Sequence, residues 1–153
     1  MSPAPNRAHQ SIGDKLHRMV GDYVEQNGLG IFYYAPVDVR LSPHDVVQPD
    51  LLFIRQDRLD IYHERGDVQG PPDLVVEIIS PSSEKTDPGE KMALYAAAGI
   101  PEYWPVNPAT RRFQGFVLRE RHYVEVAAVA GRYRSTIIDG FGLDLDELVP
   151  WMT

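Results

Sequence analysis

The stretch PPDLVVEIISPSS, from Pro71 to Ser83, constrains this chain more than any other. Leu74, Val75, Val76, Ile78 and Ile79 form a short run rich in β-branched residues, opened by a proline pair and closed by Ser-Pro-Ser-Ser. That length and punctuation predict a buried central strand. Glu77 stands in the middle of it. An ionised carboxylate is almost never fully buried without a partner, because desolvating it is costly. Glu77 therefore faces solvent on a half-exposed strand, pairs with an arginine, or belongs to a site that neutralises it.

A second apolar run carries one acid as well. In Val46 to Ile54 that acid is Asp50, directly after Pro49. Asp87-Pro88-Gly89-Glu90-Lys91 then opens an amphipathic helix in which Lys91 and Tyr95 are four apart and share a face. Two carboxylates and a lysine are what metal-assisted phosphodiester hydrolysis needs. The carboxylates are hard oxygen ligands for Mg²⁺, and the lysine is a cation beside the attacking water or the developing charge.

The order QPDLLFI, PPDLVVEIISPSS, Asp87-Pro88-Gly89-Glu90-Lys91, YAAAGIPEYW resembles the Uma-two family of proposed endonucleases, within the PD-(D/E)XK restriction-endonuclease-like superfamily. The resemblance covers roughly Met1 to Val106. It implies an α/β domain of mixed type, with a restriction-endonuclease-like central mixed β-sheet flanked by helices. It matches Asp50 to the acid of the Pro-Asp element and Glu77 to the acid of the (D/E)XK element. Both become metal ligands for Mg²⁺ (or Mn²⁺). The superfamily lysine has no match in place, since Ile79 stands there, and the role passes to Lys91 on the next helix. Glu25, on the first helix, and Tyr95 are accessory candidates. The implied activity is hydrolysis of nucleic acid, DNA foremost. The alternative is a relative that keeps the scaffold as a non-catalytic binding or assembly module.

With 153 residues the chain is expected to form one domain, residues 1–153, large enough for a proper core. It has no cysteine, which excludes disulfides, thiolate metal sites and cysteine nucleophiles and suits a reducing cytoplasm. No apolar run approaches a membrane span, and MSPAPNRAHQ lacks the apolar core of a secretion signal. The net charge of −7 lies wholly between residues 38 and 90, where 12 acids face 5 bases. Proteins that grip duplex DNA through many phosphates are usually basic along one face, so this balance counts against an extensive electrostatic footprint. Carboxylates that hold metal ions would lessen the objection.

In chain order, Pro3 and Pro5 make an extended arm. His9 to Gln26 reads as a helix stopped by Asn27-Gly28, with Ile12, Leu16, Met19, Val20, Tyr23 and Val24 recurring at threes and fours. His9, His17 and, further on, His63 read as ordinary polar residues. Gly30 to Pro36 and Asp38 to Leu41 are expected to be a strand with a bend and Val47 to Ile54 its neighbour, followed by a surface excursion from Arg55 to Gly70. Asp73 is too far along the strand to share an ion with Glu77. After the turn at Ser80 to Asp87, with Asp87 as N-cap, a helix from Pro88 to Ala98 ends at Gly99 and feeds a parallel strand up to Val106. Pro105 predicts an edge or bulge. Phe113 to Leu118, Tyr123 to Val129 and Tyr133 to Ile137 read as a β meander. Arg111, Arg112, Arg119, Arg121, Arg132 and Arg134 would be a basic rim able to contact phosphates. Relatives usually carry a strand pair before the segment matching Met1, so one sheet edge is expected to be shorter or covered by a partner. Together with the aromatic tail from Phe141 to Trp151, this predicts a symmetric homodimer.

Overall fold

The computed structural model describes residues 7–80 and 88–152. The N-terminal arm, most of the Ser80 to Asp87 turn and the Asp87 cap lie outside the described residues. The first helix, α1 (Arg7–Gln26), exists because Ile12, Leu16, Val20 and Val24 fall every four residues on one face, and all four are buried. It ends where Gly28 takes φ 61°, with Leu29 N–H donating to Val24 O and Gly28 N–H to Glu25 O. This closes a left-handed C-terminal turn that a residue with a Cβ would strain.

The strands follow as β1 (Gly30–Tyr34), β2 (Val39–Ser42), β3 (Asp45–Val47), β4 (Leu51–Arg55), β5 (Val68–Gln69) and β6 (Leu74–Ile78). After the helix α2 (Pro88–Ala97) come β7 (Glu102–Asn107), β8 (Arg112–Phe113), β9 (Gly115–Arg119), β10 (His122–Val126), β11 (Arg132–Arg134), β12 (Gly142–Asp144) and the short helix α3 (Leu145–Leu148). The main sheet is ordered β1-β4-β6-β7-β9-β10, with β8 also on β7, and only β6 and β7 run parallel in it. Its β6 is buried at every residue, as the apolar run demanded. Leu74, Val76 and Ile78 pack toward the α1 stripe, whereas Val75 packs with Tyr95 of α2, Ile100 and Tyr103. The sheet is therefore flanked by helices, the mixed α/β arrangement expected.

Several local expectations are corrected. Gly30 to Pro36 and Asp38 to Leu41 are not two parts of one bent strand: β1 ends at Tyr34, and β2 joins a separate sheet ordered β3-β2-β5. Val47 to Ile54 is not one strand either. It is interrupted at Gln48-Pro49-Asp50, where proline has no amide to give a ladder, and Asp50 thereby ends up just ahead of β4. The Arg55 to Gly70 excursion holds a 3-10 turn at Gln56–Ile61, and its Val68 is fully buried in β5. Tyr133 to Ile137 does not continue the meander, because β11 pairs with β12. The ring of Tyr133 lies so close over Gly115 that an added Cβ would stand 2.0 Å from it, so this hairpin packs onto the sheet.

Pro105 marks neither an edge nor a bulge. β7 is central, and its register with β9 (Glu102↔Val117) continues unbroken into β8 (Val106↔Phe113). The Pro105–Gln114 pair keeps the Gln114 N–H to Pro105 O bond at 3.1 Å, and the proline has no N–H to return.

Candidate active site

Asp50 and Glu77 come together because of the antiparallel register of β4 and β6. Leu51 pairs with Val76, so the next position opposes Asp50 to Glu77. Side chains directly opposite on neighbouring strands have Cβ atoms about 5 Å apart. Each carboxylate is held at both oxygens. Asp50 Oδ2 accepts the Ile78 amide at 2.7 Å, and its Oδ1 lies 3.4 Å from His9 Nε2. Glu77 Oε1 accepts the Tyr95 hydroxyl, and its Oε2 lies 3.4 Å from Lys91 Nζ. Lys91 and Tyr95 reach the same carboxylate because they are one turn apart on α2, whose Tyr95 packs with Val75 of β6.

The electrostatics follow from this enclosure. Burial pushes the Glu77 carboxyl up to about 7, Lys91 pulls it down, and the charge of Asp50 raises it again. The repulsion by Asp50 is itself a sign that the two carboxylates share one neighbourhood. Burial, and then the charge of Glu77, also raise Tyr95 far above an ordinary phenol, so it stays a hydrogen-bond donor.

His9 was not separable from other helical histidines by sequence: its place beside Asp50 depends on how α1 docks across the sheet. Glu25 is exposed and sixteen residues further along α1, about 24 Å at 1.5 Å per residue, so the structure does not bring it to the site. The six arginines do not form one rim. Arg112 pairs with Asn107 at the end of β7 nearest Glu77, and Arg111 precedes it. Arg119 follows Val117, which pairs with Glu102 at the opposite end. Arg132 and Arg134 sit on the separate β11 hairpin. Asp73 is engaged elsewhere, accepting from the Arg55 amide and the Arg58 guanidinium at 2.9 Å each. His63 is exposed and 4.0 Å from Asp67, a surface contact. Among the described residues no three His, Cys, Asp or Glu side chains gather into a metal-binding group.

The fold is a mixed α/β sheet flanked by helices, with two acids meeting across the start of β4 and the end of β6 and a lysine on the crossover helix. A crystal structure described as a putative nuclease belonging to DUF820, from Anabaena variabilis ATCC 29413, superposes with a TM-score of 0.77. It covers 100% of this chain and 86% of that one at 15% identity, a likeness of fold. Among curated proteins, none matches significantly. The chain belongs to the Uma2 (Uma-two) family, whose description reads "Putative restriction endonuclease" and which matches residues 1–146. No helix among the described residues is long and apolar enough to cross a membrane.

Proposed function

We propose that the protein is a metal-dependent endonuclease acting on nucleic acid, with DNA as its substrate. Asp50 and Glu77 are the Mg²⁺ (or Mn²⁺) ligands and Lys91 the catalytic lysine. The observation that carries this reading is the convergence of Lys91 and Tyr95 on the carboxylate standing opposite Asp50.

The donor set fits the ion. Mg²⁺ is commonly held by one or two carboxylates and fills its remaining positions with water and substrate phosphate oxygens. When bound, the ion supplies Lewis acidity toward a phosphoryl oxygen and a water of lowered pKa. Tyr95 fixes the Glu77 side chain through Oε1, and the Ile78 amide and His9 fix Asp50. Lys91, with its side chain 34% exposed, carries its ammonium to the open side of Glu77, where it can orient a water and stabilise charge on the phosphoryl oxygens.

Calorimetry tests the ligands: Mn²⁺ binding should be lost in both Asp50→Asn and Glu77→Gln, and unchanged binding in both would remove the site. On a panel of DNA and RNA, Lys91→Met should cut cleavage by about 10²-fold or more while leaving the fold intact, as expected for one positioned catalytic group. Metal binding without cleavage of any substrate would favour the non-catalytic binding or assembly module.

The assembly we infer is a symmetric homodimer, supported by β1 and β10 being the outermost strands of the main sheet. The aromatic tail no longer argues for it. Phe141 packs on Tyr23 with ring centroids 5.2 Å apart, and Trp151 lies under Lys15 and Arg18 of α1, so the tail covers its own chain. Light scattering that returns the chain mass of 17.3 kDa at every concentration would overturn the dimer.

A further inference from the structure

Beside Asp50 a cleft of about 480 Å³ opens between α1 and the end of the main sheet. Its floor is apolar, made by Leu51 and Ile78, and one wall is α1 at His9, Gly13 and His17. Gly13 has no side chain to fill it: a Cβ there would stand 3.4 Å from the Ile78 side chain. The rim includes Tyr34, 63% exposed although it is a large aromatic residue on an outermost strand. Its ring is not loose. His17 meets it edge-on, with centroids 4.8 Å apart and planes at 82°, and His17 in turn stacks on Phe32 at 6.3 Å. The cleft is also tied to the candidate catalytic carboxylate, since Tyr34 pairs with Leu51 and the next amide, of Ala35, donates to Asp50 O at 2.9 Å.

We propose that this cleft is a nucleobase pocket and that the substrate is single-stranded, or presents an unpaired nucleotide, with Tyr34 as the stacking platform. The proposal rests on the nuclease reading and specifies its substrate. Three features point to a base. The cleft has room for one nucleotide. It combines an apolar floor with a held, exposed aromatic face, the arrangement on which unpaired bases stack. Its acidic lip at Asp50 repels a bare phosphate but not a neutral base, and so sorts the nucleotide: base inward, phosphate toward the cation-binding carboxylates. A duplex cannot use the pocket without extruding a base, at a cost of a few kcal/mol by general estimates.

Fluorescence anisotropy with a labelled 12-nucleotide single strand and the same sequence as a duplex, in Ca²⁺ buffer, tests this. The single strand should bind at least about tenfold tighter than the duplex, and Tyr34→Ala should weaken single-strand binding about tenfold or more, within the range for loss of one base–aromatic stack. Tyr34→Phe should retain binding. Tyr33→Ala, on the neighbouring position whose side chain points to the other face, should also retain it. Circular dichroism checks that the variants fold. Equal or tighter duplex binding, no binding of either form, or undiminished binding by Tyr34→Ala overturns the pocket. The nuclease reading stands or falls separately, on whether Lys91→Met loses cleavage of whichever substrate the parent protein cuts.

Discussion

Glu77, the candidate site carboxylate, differs from a surface carboxylate of the same type in its surroundings. A paired surface carboxylate usually has its pKa lowered, but burial raises Glu77 from 4.5 to about 7. A group that binds its proton more tightly folded than unfolded adds stability below its unfolded pKa and loses it as pH rises through the folded one. The window here runs from 4.5 to about 7, and the 2.5 units between them correspond to about 3 kcal/mol. Metal-free protein should therefore lose stability from this residue as pH rises across that window, opposite to the usual carboxylate trend. Glu77→Gln should flatten the dependence and be the more stable protein at pH 8. Urea midpoints at several pH values in chelator would show it, and a variant no more stable than the parent at pH 8 would refute it. Added Mn²⁺ should stabilise the parent at pH 8 and leave Glu77→Gln unaffected, because binding favours the ionised carboxylate.

Among the elements, the β11–β12 hairpin depends on a different buried acid. Glu102 is fully buried and is held by neutral donors. Its Oε2 accepts Trp104 Nε1 at 2.6 Å and the Tyr133 hydroxyl at 3.1 Å, and its Oε1 accepts the Thr136 amide and hydroxyl at 2.9 and 2.7 Å. Every partner is a donor, so Glu102→Gln turns an amide NH₂ toward donors and should destabilise the protein by about 3 kcal/mol, since leaving buried donors unmatched costs about 1–3 kcal/mol each. A fall in the urea midpoint with unchanged slope would show this, and an unchanged midpoint would refute it. Within EYWPVN only Trp104 donates to Glu102, and nothing local foretells the rest of that role, because Tyr133 and Thr136 lie more than thirty residues away. The same contrast divides the whole chain. α1, β6, α2 and β7 could be read from the sequence because each has a local cause: a four-residue stripe, a β-branched run, a glycine stop. The Asp50–Glu77 pairing was legible as two isolated strand acids and a family resemblance. The nearness of His9, the split at Pro49 and the partner change of β11 come from docking between distant segments, and periodicity does not encode docking.

For the whole molecule, charge sets how tightly nucleic acid can be held. The net charge is −7, and the arginines are divided between the two ends of the sheet and a separate hairpin. Among the described residues, Lys91, Arg111 and Arg112 stand at the end carrying Glu77, and we take them as about three phosphate contacts. The dependence of log affinity on log salt has a slope of about −0.7 per neutralised phosphate for single strands and about −0.9 for duplex, so three contacts give about −2 to −3. Binding should accordingly be weak in the absence of metal and change modestly between low and physiological salt. Anisotropy titrations across a salt series would measure the slope, and the double variant Arg111→Ala with Arg112→Ala should make it shallower by about 1.4 to 1.8, two contacts' worth, without altering Mn²⁺ binding. A slope steeper than about −5 would require more phosphate contacts than Lys91, Arg111 and Arg112 supply. A shallow slope that the double variant leaves unchanged would place the phosphates away from Arg111 and Arg112, and the path of the strand would then have to run along α1 and the cleft alone.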